Sequence, residues 1–339
     1  MSTTTESTGK SDPSSAEPGE RKADGEDMVS MTFGEHLDEL RRRLLISLLA
    51  IVVVMGFFLL QKDAVMSFVT TPYKGMWQKR FDAWWEESFE VDVLPVQERF
   101  AQSYRDDIDI IAKHREAIRA WDWKSVERGA IDVPSALQRF GFKLRPGLIS
   151  ITPLQDFLTF MIAAALCGFA VASPIVLHQI WRFVAAGLYK NERRAVMSYL
   201  PASIGLFVGG MLFGFFVLVP YALFFLVGLS DSDTMLTIRD YFQFLFLLTI
   251  ALGLVFQLPV VMVALTRVGI TTPALYAKYW RHVILAMFVV GALLTPPDPF
   301  TQVMMAVPLI ALYIVGYFVS KVVYRGRVER LAAKEGSST

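Results

Sequence analysis

Residues 36–60, HLDELRRRLLISLLAIVVVMGFFLL, pass from dense charge into hydrocarbon-like sequence without a linker. From Leu44 to Leu60 no side chain carries a charge, and a stretch of about 20 such residues is what a helix needs to cross a bilayer. Arg41, Arg42 and Arg43 at the edge of that stretch have an ordinary role as an anchor on one side of the membrane. The acids just before them, Asp38 and Glu39, have none.

Upstream, Thr32-Phe-Gly-Glu35 has the spacing of a capping box and opens a helix. Phe33, Leu37, Leu40 and Leu44 share one face, while Asp38 with Arg42 and Glu39 with Arg43 are spaced for i,i+4 pairs. Residues 29–43 are therefore expected to form an amphipathic helix along the membrane surface that runs into the first span. Residues 1–28 are rich in Ser, Thr, Glu, Gly and Lys and bury too little apolar surface to offset ordering, so a disordered tail is expected. The acids Asp12, Glu17, Glu20, Asp24 and Glu26 argue against a transit peptide, and the lack of an apolar core argues against a secretory signal.

The whole chain has 339 residues, 54% of them hydrophobic and 19% charged. That profile belongs to a polytopic membrane protein. A net charge of +1 offers no bulk field for nucleic acid. After Leu44–Leu60, apolar spans are expected at about Phe157–Ile180, Val196–Leu218, Phe242–Leu265, Val283–Leu294 and Val303–Val319. The last two are short. Between them, Thr295–Gln302 (TPPDPFTQ) is too polar and proline-rich to continue a helix. The fold class is thus all-α, with six transmembrane helices, a membrane domain over residues 44–324 and a tail over 325–339.

Six spans put both termini on one side. Arg41–Arg43, Arg182, Lys190, Arg193, Arg194, Arg267, Lys278, Arg281, Lys321, Arg325 and Arg327 all fall on that side, and the short opposite loops add little beyond Arg239. The positive-inside rule makes it the cytoplasm. An extracytoplasmic insert over about residues 75–146 then interrupts the first external loop. Val96, Phe100, Tyr104, Ile108 and Ile111 recur there at helical spacing, which predicts an amphipathic helix. Trp77, Trp84, Trp85, Trp121 and Trp123 suit a membrane interface.

Catalytic motifs are missing: there is no HExxH, GxSxG or P-loop pattern, and the four histidines are scattered. Cys167, alone in an apolar run, makes no intrachain disulfide and reads as a small buried hydrophobe. Nor do the spans hold the mid-membrane charges that proton-coupled carriers keep, each of which costs at least ~2.5 kcal/mol. Gln257 in the fourth span is the main polar group at that depth. A small-molecule carrier would need a polar site there, and an intramembrane enzyme would need a partner for His178. The charge gathers instead at the cytoplasmic edge, where Glu39 and Glu192 are the candidate binding acids. Their plain alternative is neutralisation by Arg43 and by Arg193 or Arg194, an arrangement worth only ~0–1 kcal/mol when exposed.

His36–Leu45 (HLDELRRRLL), Ser173–Arg194 (SPIVLHQIWRFVAAGLYKNERR) and Leu293–Gln302 (LLTPPDPFTQ) closely resemble the TatC family, the core of the twin-arginine translocase. Thr70–Tyr73 (TTPY) and Gly269–Arg281 (GITTPALYAKYWR) fit the same pattern. The resemblance runs from about Met31 to Tyr324 apart from the insert. It implies a cup-shaped, six-span protein of the bacterial cytoplasmic membrane that binds twin-arginine signal peptides. Several copies would act with single-span TatA- and TatB-like partners to export folded proteins on the proton-motive force, without enzyme activity, cofactor or nucleic acid.

By the same resemblance Glu39, Arg41, Glu192 and Phe183 fall on the signal-peptide site, and Pro72 and Asp298 on structural positions of the first and last external loops. There are three departures. Ala186 stands where many relatives have proline, Gln257 where some have glutamate, and the insert is long. Gln257 cannot titrate, but it can hydrogen-bond a partner helix. The chemistry is coherent, because a guanidinium fork matches a carboxylate bidentately and an ammonium does not. The charge asymmetry has a direct check: topology reporters fused at Gly129 and at the C-terminus should report opposite sides of the membrane. A shared side would overturn the orientation.

Overall fold

The computed structural model describes residues 33–120, 133–142, 148–188, 190–228, 236–294 and 299–336. The chain opens with α1 (Phe33–Leu59), α2 (Lys62–Val69) and α3 (Thr71–Trp84), followed by a π-helical stretch Trp85–Val93 and a 3-10 stretch Leu94–Arg99. Next come α4 (Gln102–Lys113), α5 (Arg115–Arg119) and α6 (Val133–Arg139). The remainder is α7 (Pro153–Ala186), α8 (Lys190–Met197), α9 (Leu200–Phe213), a π-helical turn Gly214–Leu218, α10 (Val219–Gly228), α11 (Ile238–Val255), α12 (Leu258–Val268), α13 (Pro273–Leu294) and α14 (Pro299–Gly336). Among the described residues, extended structure amounts to one isolated bridge, Ile149 with Thr237.

Six segments are long and apolar enough to cross a membrane: Gly34–Leu59, Pro153–Ala186, Arg193–Gly228, Ile238–Val268, Pro273–Leu294 and Pro299–Glu329. The all-α, six-span class therefore holds. Local sequence explains several of the boundaries. Thr152 caps α7 by accepting from the Gln155 N–H, and Pro153 occupies the first turn, where its missing N–H costs nothing. Thr237 caps α11 through the Asp240 N–H at 3.1 Å. Gly269 ends α12 with φ +91°, a conformation glycine adopts without strain. Pro259 lacks the N–H that would continue α11, and the fourth span breaks at Phe256–Gln257 before α12 resumes.

The helices outrun the apolar stretches expected of them. The third span continues past Leu218 to Gly228. The stretches at 283–294 and 303–319 sit inside helices of 22 and 38 residues. Residues from Arg325, expected as a tail, extend α14 to Gly336. The reason is that Lys, Arg, Glu, Leu and Ala propagate a helix as readily outside hydrocarbon as inside it. Residues 1–28, the Thr32 cap and Asp298 lie outside the described residues. Cys167 is half-buried rather than enclosed.

α7 is the hub of the bundle, touching α1, α2, α9 and α11. A Cβ built at Gly168 would lie 2.9 Å from the Met55 Cα, so α1 reaches α7 at backbone contact. Gly210 does the same for α9, its would-be Cβ lying 2.8 Å from the Leu252 carbonyl of α11. Close approach at small residues is how helices associate where lipid removes the hydrophobic drive between them. The outer face of α1 stays uncovered, with Leu44, Leu48, Leu49, Val52, Val53 and Phe57 exposed.

The insert departs from expectation. Trp77, Trp84 and Trp85 are buried, packed with Phe81, Phe89, Phe140 and Phe142. They make a core in place of an interfacial belt, because α3–α6 bring enough chain to enclose them. Trp121 and Trp123 lie outside the described residues. The helix expected over 96–111 is broken: Phe100 is extended (ψ 156°), and only α4 carries the pattern on, with Ile108 and Ile111 buried. Arg119 binds Asp82 bidentately at 2.8 and 3.0 Å, which raises the arginine's pKa, and Arg139 pairs with the buried Asp107. Arg80 fastens the insert to the third span by donating to the Phe224 carbonyl at 2.6 Å.

The α1–α7 contact predicts the outcome of one methyl group. Gly168→Ala should push the two backbones apart and cost about 1–3 kcal/mol as overpacking, read as earlier thermal unfolding in detergent. Gly205→Ala, which meets open space, should not.

Candidate functional site

The first turns of α1 lie beside the last turns of α7, and the polar residues of both meet there. Glu39 Oε1 accepts from Arg43 Nε at 2.7 Å and from Arg43 Nη2. Arg43 Nη1 then donates to Gln179 Oε1 at 2.9 Å, linking the helices. One turn earlier, His36 stacks on Phe183 with ring centroids 4.5 Å apart and planes 25° from parallel. His36, Glu39 and Arg43 follow the 3-and-4 spacing of one helix face, and Gln179 and Phe183 are one turn apart.

Exposure separates these residues. The Glu39 and Arg43 side chains are 21% and 15% exposed, and Gln179 is buried. Asp38, Arg41 and Arg42 are exposed on the remaining faces of α1. The expected acid–arginine pair at Glu39 thus forms, with a third partner that the sequence did not suggest. The arrangement holds a carboxylate and an aromatic ring at the rim of the bundle. A carboxylate so placed can accept from a guanidinium or ammonium group, as it does here from Arg43. Among the described residues no group of three or more His, Cys, Asp or Glu side chains could hold a metal ion.

The other expected residues do not join this cluster. Glu192 falls in α8, directly after the α7 end, but its side chain lies outside the described residues, as does Asp298. Arg193 and Arg194 are exposed. Pro72 is buried in the first turn of α3, where proline's fixed φ suits a helix start. It lies at the far end of α1, against the insert.

Gln257 has a partner in its own chain. Its Nε2 donates to the Ser203 carbonyl at 3.0 Å, and its Oε1 accepts from Ser203 Oγ. Trp181 Nε1 donates to the same Ser203 Oγ at 2.8 Å. The break before Pro259 puts Gln257 at a helix end beside α9, where both ends of its amide reach Ser203. The chain Trp181–Ser203–Gln257 ties α7, α9 and α12 together inside the apolar bundle.

Sequence reasoning missed His36, Gln179, Trp181 and Ser203. Helical spacing carried a signal for two of them, since His36 lies on the Glu39–Arg43 face and Gln179 one turn before Phe183. Trp181 and Ser203 are 22 residues apart, and no local pattern relates them.

Comparison with known proteins extends this picture. The family model described as TatC, Sec-independent protein translocase protein, matches residues 35–308. TatCy of Bacillus subtilis strain 168 is 38% identical over 190 residues, 55% of this chain and 74% of that protein. The Sec-independent protein translocase protein TatC of Aquifex aeolicus VF5 is 37% identical over 186 residues, 54% of this chain and 77% of that one. A crystal structure of the twin arginine translocase receptor TatC superposes with TM-score 0.57 at 28% identity, covering 85% of this chain and 99% of its own.

The Ser203 hub should behave as a unit. Gln257→Leu and Ser203→Ala should each lower stability by about 1–3 kcal/mol, because each leaves a buried polar group unsatisfied. The double variant should fall well short of their sum. Additive losses in detergent unfolding would show that the two side chains act separately.

Proposed function

Because this chain belongs to the TatC family of Sec-independent protein translocase proteins, we propose that it is the receptor that reads twin-arginine signal peptides at the cytoplasmic membrane edge. Its family is a membrane-embedded translocase component rather than an enzyme. The observation that carries the reading is the meeting of the Glu39–Arg43 pair with Gln179, one turn from the His36–Phe183 stack, at one rim of the α1–α7 pair. A signal peptide offers two guanidinium groups followed by an apolar stretch. Glu39 accepts one guanidinium and Glu192 of α8 the other, with Phe183 beside them and Arg41 exposed on the same rim. The apolar stretch then continues along the uncovered face of α1, where Leu44, Leu48 and Val52 are exposed.

In this reading both termini are cytoplasmic, as the Lys/Arg asymmetry supports. The protein sits in the bacterial cytoplasmic membrane and recruits TatA- and TatB-like single-span subunits, in several copies, for export driven by the proton-motive force. Pro72 and Asp298 shape the two external turns. The apolar part of α13, Val283–Leu294, covers about 18 Å of a core of ~30 Å. The run Val303–Val319 in α14 is also short. Together they thin the bilayer locally, which lowers the barrier to passage.

Binding of a twin-arginine signal peptide to the purified receptor, beside a twin-lysine control, tests this. Glu39→Ala and Glu192→Ala should each weaken binding roughly ten- to hundredfold, the loss of a charge-assisted contact of ~1.5–3 kcal/mol. Membrane insertion should be unaffected. Replacing the peptide's arginines with lysines should weaken wild-type binding strongly and add little in the double variant. Unchanged affinity in both single variants would reject these acids as the receptor site.

A further inference from the structure

The carboxylate assigned to the cargo's arginine already holds an arginine. Glu39 Oε1 takes two bonds from Arg43, through Nε at 2.7 Å and through Nη2. This is the fork a twin-arginine signal would present, supplied by the receptor's own helix one turn away. Arg41 and Arg42, closer in sequence, are exposed and do not make it. We infer that Arg43 is an internal competitor, which occupies Glu39 in the resting receptor and yields it to a guanidinium of the signal peptide. The inference rests on the receptor reading of Glu39.

Three features suit Arg43 to exchange. First, the pair lies within one helix. An i,i+4 pair of this orientation contributes only ~0.2–0.5 kcal/mol to an isolated helix, so opening it does not threaten α1. Second, Arg43 has a separate anchor on α7. Its Nη1 donates to the buried Gln179, so the guanidinium can leave Glu39 and stay tethered by that bond. A displaced arginine without such a partner would have to be resolvated at the membrane edge. Third, the Glu39 side chain is only 21% exposed while paired, so opening of the pair precedes or accompanies binding.

Competition sets a threshold. When the binding-competent state is a fraction of the population, every ligand's apparent affinity falls by that fraction. With a pair of that strength Glu39 is free about one-third of the time, and arginine and lysine signals both bind about threefold more weakly than the bare site would allow. The ratio between them stays fixed, but the weaker lysine contact falls out of the useful range. Arg43 thereby sets how good a signal must be, and the fork geometry sets which signal is better.

The test is a titration of the full-length receptor in nanodiscs with fluorescent twin-arginine and twin-lysine signal peptides. Arg43→Gln should tighten both by the same factor, roughly twofold to threefold, and leave their ratio unchanged. Arg43→Lys should give a smaller gain, because an ammonium keeps the charge without the fork. Gln179→Met, which removes the tether of the displaced guanidinium, should instead weaken both. Adding Arg43→Gln to Glu39→Ala should change nothing, since no carboxylate is left to release. Weaker or unchanged binding in Arg43→Gln, with Glu39→Ala still disruptive, overturns the competitor and leaves the receptor reading standing. If Glu39→Ala has no effect, the receptor reading falls and the competitor with it. If Arg43→Gln does not insert, Arg43→Lys and Gln179→Met decide, and no gain in the first or no loss in the second overturns the proposal.

Discussion

In hydrocarbon no water is available to satisfy a polar group, and this one constraint orders the molecule. It turns the spans into helices, which close their backbone hydrogen bonds internally. It drives charge to the rims, where water and headgroups can solvate it. Side-chain polarity that remains inside is costly unless it is paired. The Trp181–Ser203–Gln257 chain is so paired, using tryptophan's single donor and both ends of the amide across three helices. With lipid as apolar as the helices themselves, contacts such as Gly168 against Met55 supply cohesion through close backbone approach.

The same constraint makes the candidate site. Expelled from the span, the polar residues of α1 gather in its first turns, and those of α7 in its last. The close contact at Gly168 holds the two helices together, so the two polar ends meet at one rim. Arg43 joins Glu39 to Gln179 there, and His36 lies on Phe183. A carboxylate in this position is only partly dehydrated, so its interactions are stronger than in bulk water without the full cost of burying a charge. Recognition of an arginine works best in such a half-dry place.

The insert follows different physics. Its residues lie outside the spans, so the hydrophobic effect of water governs them, and they bury their tryptophans as a soluble domain would. The join to the bundle is polar. Arg80 reaches a carbonyl in the last turns of α10, where the helix dipole favours a cation, and its guanidinium lies 4.3 Å from the Phe224 ring centre. Tyr241 adds a bond from the fourth span to the Val69 carbonyl at 2.8 Å. α2 is thereby tied to the fourth span and the base of the insert to the third.

The sequence by itself determined the fold class, the six spans and the identity of the family. Uninterrupted apolar length is a local property, and so are the Thr152 and Thr237 caps and the glycine end of α12. It also brought Glu39, Arg41, Glu192 and Phe183 forward, through charge crowded at a span edge and through resemblance. The pairing of Glu39 with Arg43 was legible for the same reason, since four residues make one helical turn. The tertiary structure decided what lay beyond one turn. Gln179 became the third member of the Glu39 cluster only because α7 packs on α1, 136 residues away along the chain. Ser203 met Gln257 only because α9 packs beside the Pro259 break. The insert's tryptophans could be assigned to core or interface only after α3–α6 had closed over them, because burial depends on the neighbours a fold supplies, and a sequence pattern names only the residue.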